Sequence, residues 1–189
     1  MSKTLIIYGS TYGQTERVAH RIARVLRDAG HVVDVYQGDH LPGTVSPAGY
    51  DSVVIAASVL FGHHQKYIRR YLRRHAEELN ARPSVFVSVC GAAGGAPHQA
   101  EGYVEDLLRE TGWRPTLTRS FTGAVAYTKY GWLSRLIMKR ISREKGLPVD
   151  TSRDWDFTEW DEVDRFAAEL AAASTPDKGS FIRVPDLSS

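Results

Sequence analysis

The spacing of apolar and polar positions changes several times along the chain, and each change marks an element. Residues 3 to 8 form a short apolar run that predicts a strand. From 14 to 29, Val18, Ile22, Val25 and Leu26 recur at helical spacing, and Gly30 supplies the stop. Residues 32 to 37 predict a half-exposed second strand. Residues 52 to 57 (Ser-Val-Val-Ile-Ala-Ala) are apolar on both faces, which predicts a central third strand. Tyr67, Ile68, Tyr71, Leu72 and Leu79 mark a helix over 65–79, and residues 84 to 90 give a fourth strand. A helix over 98–112, ended by Gly112, leads to a fifth strand over 118–126. Strands that alternate with helices predict an α/β fold, a parallel sheet covered on both faces.

Two later segments read differently. Residues 127–157 are a long insertion before the last helix, which is expected to begin near Thr158 and to run through Trp160, Val163, Phe166, Ala167 and Leu170. Inside it, Trp132, Leu133, Leu136, Ile137 and Ile141 are predicted to share one helical face, with Arg135, Lys139, Arg140 and Arg143 largely off it. From Ser174 the chain turns to Pro, Gly, Lys and Ser, so 174–189 is expected to be a flexible C-terminal tail on a single domain over 1–173. No internal repeat is apparent.

Composition narrows the class. The 189 residues, 42% hydrophobic and 24% charged, can bury a core without disulfides or metal, and no metal ligands are assigned. The single cysteine, Cys90, excludes an internal disulfide and fits a reducing compartment. No apolar run approaches the roughly 20 residues that span a bilayer, and since Met1-Ser2-Lys3 enters a strand at once, no signal peptide is expected. The expectation is a cytoplasmic protein, with attachment at the inner face of the cell membrane and homo-oligomer formation both left open. The net charge is only +2, but Lys129, Arg135, Lys139, Arg140, Arg143 and Lys145 face a single acid, Glu144, across the middle of the insertion. These cations carry no recognisable nucleic-acid reading motif, so no nucleic-acid partner is expected.

The segment Ser10-Thr11-Tyr12-Gly13-Gln14-Thr15 follows the first strand and opens the first helix. Hydroxyls, backbone N–H groups and a helix N-terminus together can hold a phosphate. A nucleoside-triphosphate loop would need a Lys after its second glycine, and a dinucleotide fingerprint would need three spaced glycines. Neither pattern is present, which leaves one terminal phosphate monoester held by neutral donors. An ordinary helix cap by Ser10 or Thr11 is the competing reading; clustered hydroxyls around one glycine in the first strand-to-helix turn favour the phosphate.

Ligands of open parallel sheets sit beyond the carboxyl ends of the strands. Two further turns lie on that edge. Ser58-Val59-Leu60-Phe61-Gly62 offers apolar side chains to a flat ring, and the turn after Cys90 (Gly91-Ala92-Ala93-Gly94-Gly95) is small enough for backbone to approach a ring edge. Each alone is equally well a plain surface connection.

Together these turns resemble the flavodoxin-like FMN-binding fold, which implies a five-stranded parallel sheet in the order 2-1-3-4-5. The resemblance implies phosphate contacts from residues 10 to 15 and ring contacts from Ser58, Val59, Leu60, Phe61 and Gly62 and from Ser88, Val89, Cys90 and Gly91. A closer resemblance covers residues 3 to 172. Gly13-Gln14-Thr15, Gly62-His63, Lys66-Tyr67, Trp113-Arg114-Pro115, Gly123-Ala124, Tyr127, Tyr130, Met138-Lys139, Asp150-Thr151 and Thr158-Glu159-Trp160 are similar to the menaquinone-dependent, flavodoxin-like protoporphyrinogen oxidases of bacterial haem synthesis. That family implies FMN, dehydrogenation of protoporphyrinogen IX to protoporphyrin IX, a quinone as electron acceptor, and Asp150 and Thr151 among the cofactor-binding residues. The Gly/Ala-rich stretch after the fourth strand departs from the family pattern, which has bulkier and basic residues there.

Two further expectations concern the chemistry. The cofactor is expected to carry the reaction, with no catalytic side chain assigned. His63 and His64 are read either as a proton relay or, more simply, as a solvated or capping pair. The helix from Trp132 to Ile141 either packs on the domain or lies on a membrane near a lipid-soluble quinone. A flavodoxin-type electron shuttle and an FMN-dependent quinone or NAD(P)H reductase are the alternative functions.

Overall fold

The computed structural model describes residues 2–144, 146 and 148–173; Lys145 and the predicted tail over 174–189 lie outside them. The strands are β1 (Lys3–Gly9), β2 (Val32–Gln37), β3 (Ser52–Leu60), β4 (His63–His64), β5 (Ser84–Cys90), β6 (Leu117–Thr122), β7 (Ala124–Val125) and β8 (Trp155–Asp156). The helices are α1 (Gln14–Asp28), α2 (Lys66–Arg74), α3 (Ala76–Asn80), α4 (Pro97–Thr111), α5 (Trp132–Glu144) and α6 (Trp160–Ala173).

Strand pleating divides the core. In β1, Leu5 and Ile7 point to one face of the sheet while Ile6 and Tyr8 point to the other, and all four are buried. The first face packs with Ile55, Phe86, Ile68, Leu72, Leu107 and Trp113, under α2, α3 and α4. The second packs with Val54, Val87, Val18, Ile22, Leu26, Val163 and Phe166, under α1 and α6. Burial on both faces is what a parallel sheet requires, and the order is β2-β1-β3-β5-β6 with every pairing parallel. Counted over the long strands, this is the expected order 2-1-3-4-5. Gly112, read as a helix stop, has φ of 71°, the left-handed conformation that closes a helix without a Cβ penalty.

Three boundaries differ from expectation. The predicted helix over 65–79 breaks at His75 (φ −113°, ψ 17°), and α3 follows with Glu78 accepting a hydrogen bond from Ser46 at 2.6 Å. The third strand runs three residues past Ala57, to Leu60, because β4 folds back on it and pairs Val59 with His64 and Leu60 with His63. The predicted strand over 118–126 stops at Thr122. The chain then leaves the sheet at Gly123, and β7 pairs with β8 as an antiparallel ribbon. That ribbon joins the two ends of the insertion.

The insertion carries a small core of its own. Val125, Ala126, Tyr127 and Tyr130 are buried against Tyr12, Met138, Trp155 and Phe157. Arg135 Nε donates to the Tyr127 carbonyl at 3.0 Å and another Arg135 nitrogen to the Tyr130 carbonyl at 3.3 Å. These bonds, with Met138 on the tyrosines, decide which side of α5 faces inward, and it is not the apolar one. Trp132 (81% exposed), Leu133 (53%), Leu136 (62%) and Ile137 (38%) face solvent, whereas Arg135, Met138, Ile141 and Ser142 face the protein. The expected single face is corrected accordingly: Ile141, one turn after Ile137, sits at the edge of the stripe and lines the cleft, while Arg140 and Arg143 continue the outward stripe one and two turns on.

Candidate functional site

At the carboxyl end of β1 the chain turns through Ser10–Gly13 into α1. Gly13 precedes the helix with φ of 95°, and no side chain among the described residues caps the helix. The hydroxyls that could do so are used elsewhere. Ser10 Oγ accepts the Gly13 N–H at 2.9 Å, and Thr11 Oγ1 accepts from Gln65 Nε2 at 3.2 Å. The first-turn N–H groups of α1 therefore keep no intrahelical or side-chain acceptor. The Thr15 hydroxyl is buried with no partner among the described residues. A plain helix cap does not describe this turn, whereas an anion with several acceptor oxygens would satisfy all of these donors.

Gln65 also donates to Ser58 Oγ, so one side chain links the turn after β1 to the end of β3. Beside it, Phe61 and Gly62 have φ of 50° and 84°, the positive pair of a tight two-residue hairpin. This reversal holds Phe61, 62% exposed, at the rim. After β5, the 3₁₀ turn Gly91–Gly94 forms the third side.

The three turns enclose a cleft of about 440 Å³, within the range of roughly 300–1,000 Å³ usual for cofactor sites. It is lined by Ser10, Thr11, Tyr12, Gln14 and Thr15, by Ser58, Val59, Leu60, Phe61 and Gly62, and by Val89, Cys90 and Gly91. Gly13 shapes the loop without lining the cleft. Ser88 is fully buried behind it, its hydroxyl 3.0 Å from His64 Nε2. Asp150 stands apart, exposed at the turn before β8, where its carboxylate accepts from the Ser152 N–H at 3.0 Å and hydroxyl at 2.6 Å; Thr151 is beside it. Tyr103 from α4 and Tyr130, Met138 and Ile141 from the insertion also line the cleft and lie outside the predicted set. Tyr130 and Met138 carry part of the family resemblance, but neither they nor Tyr103 and Ile141 carry a local signal that would place them at the cleft.

His64 separates from His63. His63 is exposed, while His64 is 4% exposed, bonded to Ser88 and edge-on to Phe86 with ring centroids 5.2 Å apart. Burial, with smaller contributions from Arg69 and His63, holds the His64 imidazole down at about 4. It is neutral at neutral pH, and it is buried rather than solvated, so the imidazole serves as a packed neutral partner for Ser88.

The insertion grips the phosphate-type loop from the side. Gln14 Nε2 donates to Asp156 Oδ1 at 2.8 Å and Thr158 Oγ1 at 2.6 Å, and Arg17 reaches Asp156 at 2.8 Å. The Tyr12 ring stands edge-on to Tyr130, 4.6 Å between centroids. Lys129 Nζ donates to the Tyr12 carbonyl at 2.8 Å. That lysine lies more than a hundred positions from its partner, and nothing local to the loop points to it.

Among known proteins, the flavodoxin domain family matches residues 5–152. Protoporphyrinogen IX dehydrogenase [quinone] from Escherichia coli (strain K12) is 33% identical over 172 residues, covering 89% of this chain and 94% of that protein. The protein of the same name from Leishmania major is 31% identical over 177 residues, covering 90% of this chain and 75% of that protein. Among solved structures, oxidised flavodoxin 1 from Bacillus cereus aligns with a TM-score of 0.57 at 17% identity, covering 92% of this chain and all of that one. The Streptococcus pneumoniae TIGR4 flavodoxin aligns with a TM-score of 0.54 at 18% identity over 90% of this chain and 99% of that one. At these identities the structural matches establish the fold.

The buried imidazole sets a pH dependence. An unfolded histidine titrates near 6.5, and His64 in the folded protein near 4, so the unfolded chain binds the extra proton between these values. Folding stability is expected to fall as pH drops from about 6.5 towards 4, by about 3 kcal/mol in all. Urea denaturation at several pH values measures this, and His64→Gln should flatten the slope. Parallel profiles for both proteins would assign the lost stability to another group.

Proposed function

The chain belongs to the flavodoxin domain family and to its protoporphyrinogen IX dehydrogenase [quinone] group, and on that premise we propose that it oxidises protoporphyrinogen IX to protoporphyrin IX, a quinone taking the electrons. The observation that carries the reading is identity of 33% spread over nearly the whole of both chains. The flavodoxin fold implies a flavin, and we assign it as FMN, held in one domain over 1–173. In support, the loop suits a phosphate monoester: uncapped helix donors, a buried Thr15 hydroxyl with no partner, and no glycine pattern for a pyrophosphate. FMN bound there would supply the two-electron redox chemistry that amino-acid side chains do not.

The remaining work falls to the chain itself. Ser10, Thr11, Tyr12, Gly13, Gln14 and Thr15 would hold the phosphate; Ser58 to Gly62 and Val89 to Gly91 would flank the ring, with Ser88 behind them bracing His64. Apolar Val59, Leu60, Phe61, Tyr103, Met138 and Ile141 would exclude water from the ring and orient a flat, largely apolar macrocycle against it. Cys90 is the only cysteine, so no dithiol relay operates within the chain.

A lipid-soluble acceptor requires access to a membrane. Among the described residues no helix is long and apolar enough to cross one. The outward stripe of α5 suits contact with the surface: Trp132, Leu133, Leu136 and Ile137 for the acyl boundary, then Arg140 and Arg143 for anionic headgroups. Since the inward side of the same helix lines the cleft, such contact would bring the site close to the bilayer.

The reading is tested by adding protoporphyrinogen and a menaquinone analogue anaerobically to the FMN-loaded protein. Porphyrin formation matched by quinol formation is expected; reduction by NADPH without any by porphyrinogen would favour a reductase. Thr15→Val should cost about 1.5–3 kcal/mol of FMN affinity, read by flavin fluorescence titration, since it removes a buried hydroxyl from an ionised group. Unchanged affinity would remove Thr15 from the phosphate site. The protein should co-sediment with vesicles containing an anionic phospholipid, and Trp132→Ser with Leu136→Ser should abolish this; equal sedimentation of variant and parent would exclude α5 as the contact.

A further inference from the structure

We propose that Lys129, on the insertion, supplies the countercharge for the bound phosphate and thereby makes the site selective for the phosphorylated flavin. The inference rests on the FMN reading above. Its observations are geometric. Lys129 Nζ is 2.8 Å from the Tyr12 carbonyl and would stand 3.2 Å from a Cβ on Gly13, against the loop that follows β1.

The rest of the loop lacks free positive charge. Residues 10 to 15 carry no ionisable cation. Glu16, in the first turn of α1, is an acid and accepts from the Tyr8 hydroxyl at 3.1 Å. Arg17 is the nearest cation along the chain, and its guanidinium is taken by Asp156 and by the Gln14 side-chain oxygen at 2.9 Å. Asp156 itself sits against Gln14. Counting these groups alone, a phosphate dianion would enter a neighbourhood with one uncompensated negative charge. Lys129 supplies a positive charge that offsets it. It forms no ion pair among the described residues, and a carbonyl holds its ammonium without neutralising it. Asp154, on the same insertion, is engaged by the Thr128 N–H and hydroxyl, both at 2.8 Å.

The backbone that carries Lys129 is anchored, while its side chain is exposed. It ends a 3₁₀ turn whose first residue, Tyr127, is fully buried, and the next residue, Tyr130, packs edge-on to Tyr12. The insertion thus presents a cation to the loop from a rigid base, which spares much of the ordering cost of a free lysine. An ammonium near a partly desolvated phosphate discriminates between FMN and riboflavin, because only FMN carries the charge.

Flavin titrations of the full-length, flavin-stripped protein test this directly, with Lys129→Met and Lys129→Arg beside the parent. For Lys129→Met the expected result is about a tenfold weaker FMN affinity, an unchanged riboflavin affinity and a smaller salt dependence of FMN binding. Lys129→Arg should restore most of the FMN affinity. Equal weakening for FMN and riboflavin would reduce Lys129 to a brace for the Tyr12 carbonyl, and no change for either would dismiss it. If the parent binds riboflavin as tightly as FMN, or neither, the FMN reading itself fails, and the inference with it.

Discussion

The first turn of α1 leaves a polar demand that the polypeptide does not meet. Among the described residues its N–H groups have no side-chain cap and the Thr15 hydroxyl is buried without a partner. A buried donor with no acceptor costs roughly 1–3 kcal/mol, which an acceptor bound at the loop would recover. The surrounding architecture keeps that demand open. The parallel sheet sets the helix start beside the ends of β3 and β5, Gln65 fastens the loop to Ser58, and the insertion ties the side chains of Gln14 and Arg17 to Asp156.

Much of this fold is legible in the sequence because parallel strands buried on both faces leave unbroken apolar runs. Residues 52–57 and 84–90 read as strands for that reason, and Gly30 and Gly112 end helices where their conformation is needed. The misread boundaries share a different cause. The extension of β3 to Leu60 exists only because β4 pairs with it, and the early end of β6 depends on β7 finding β8 some thirty residues later. Pairing between strands decides these, and local periodicity carries no record of it.

The site divides along the same line. The three turns are visible because each follows directly from a strand whose own pattern is clear. Lys129, Tyr103 and Met138 reach the cleft or its loop through contacts distant in sequence, and nothing about a lysine in a basic stretch marks it from its neighbours. On α5 the amphipathic pattern is plain while its direction is not. A helix with one apolar stripe normally turns it inward, but Arg135 bonds two carbonyls and Met138 meets the tyrosines, and those contacts hold the stripe outward.

The β7–β8 ribbon has an implication for how such a chain can change. It brings residues 124–125 against 155–156, and Phe157 N–H donates to the Gly123 carbonyl at 3.3 Å, so whatever lies between begins and ends at the same point. The entropy of closing a loop grows only slowly with its length. Material can therefore be lengthened, shortened or exchanged beyond this junction without shifting the register of any strand in the main sheet. The ribbon makes the insertion a replaceable module, and an ancestral scaffold could acquire a new surface there while its core stayed untouched.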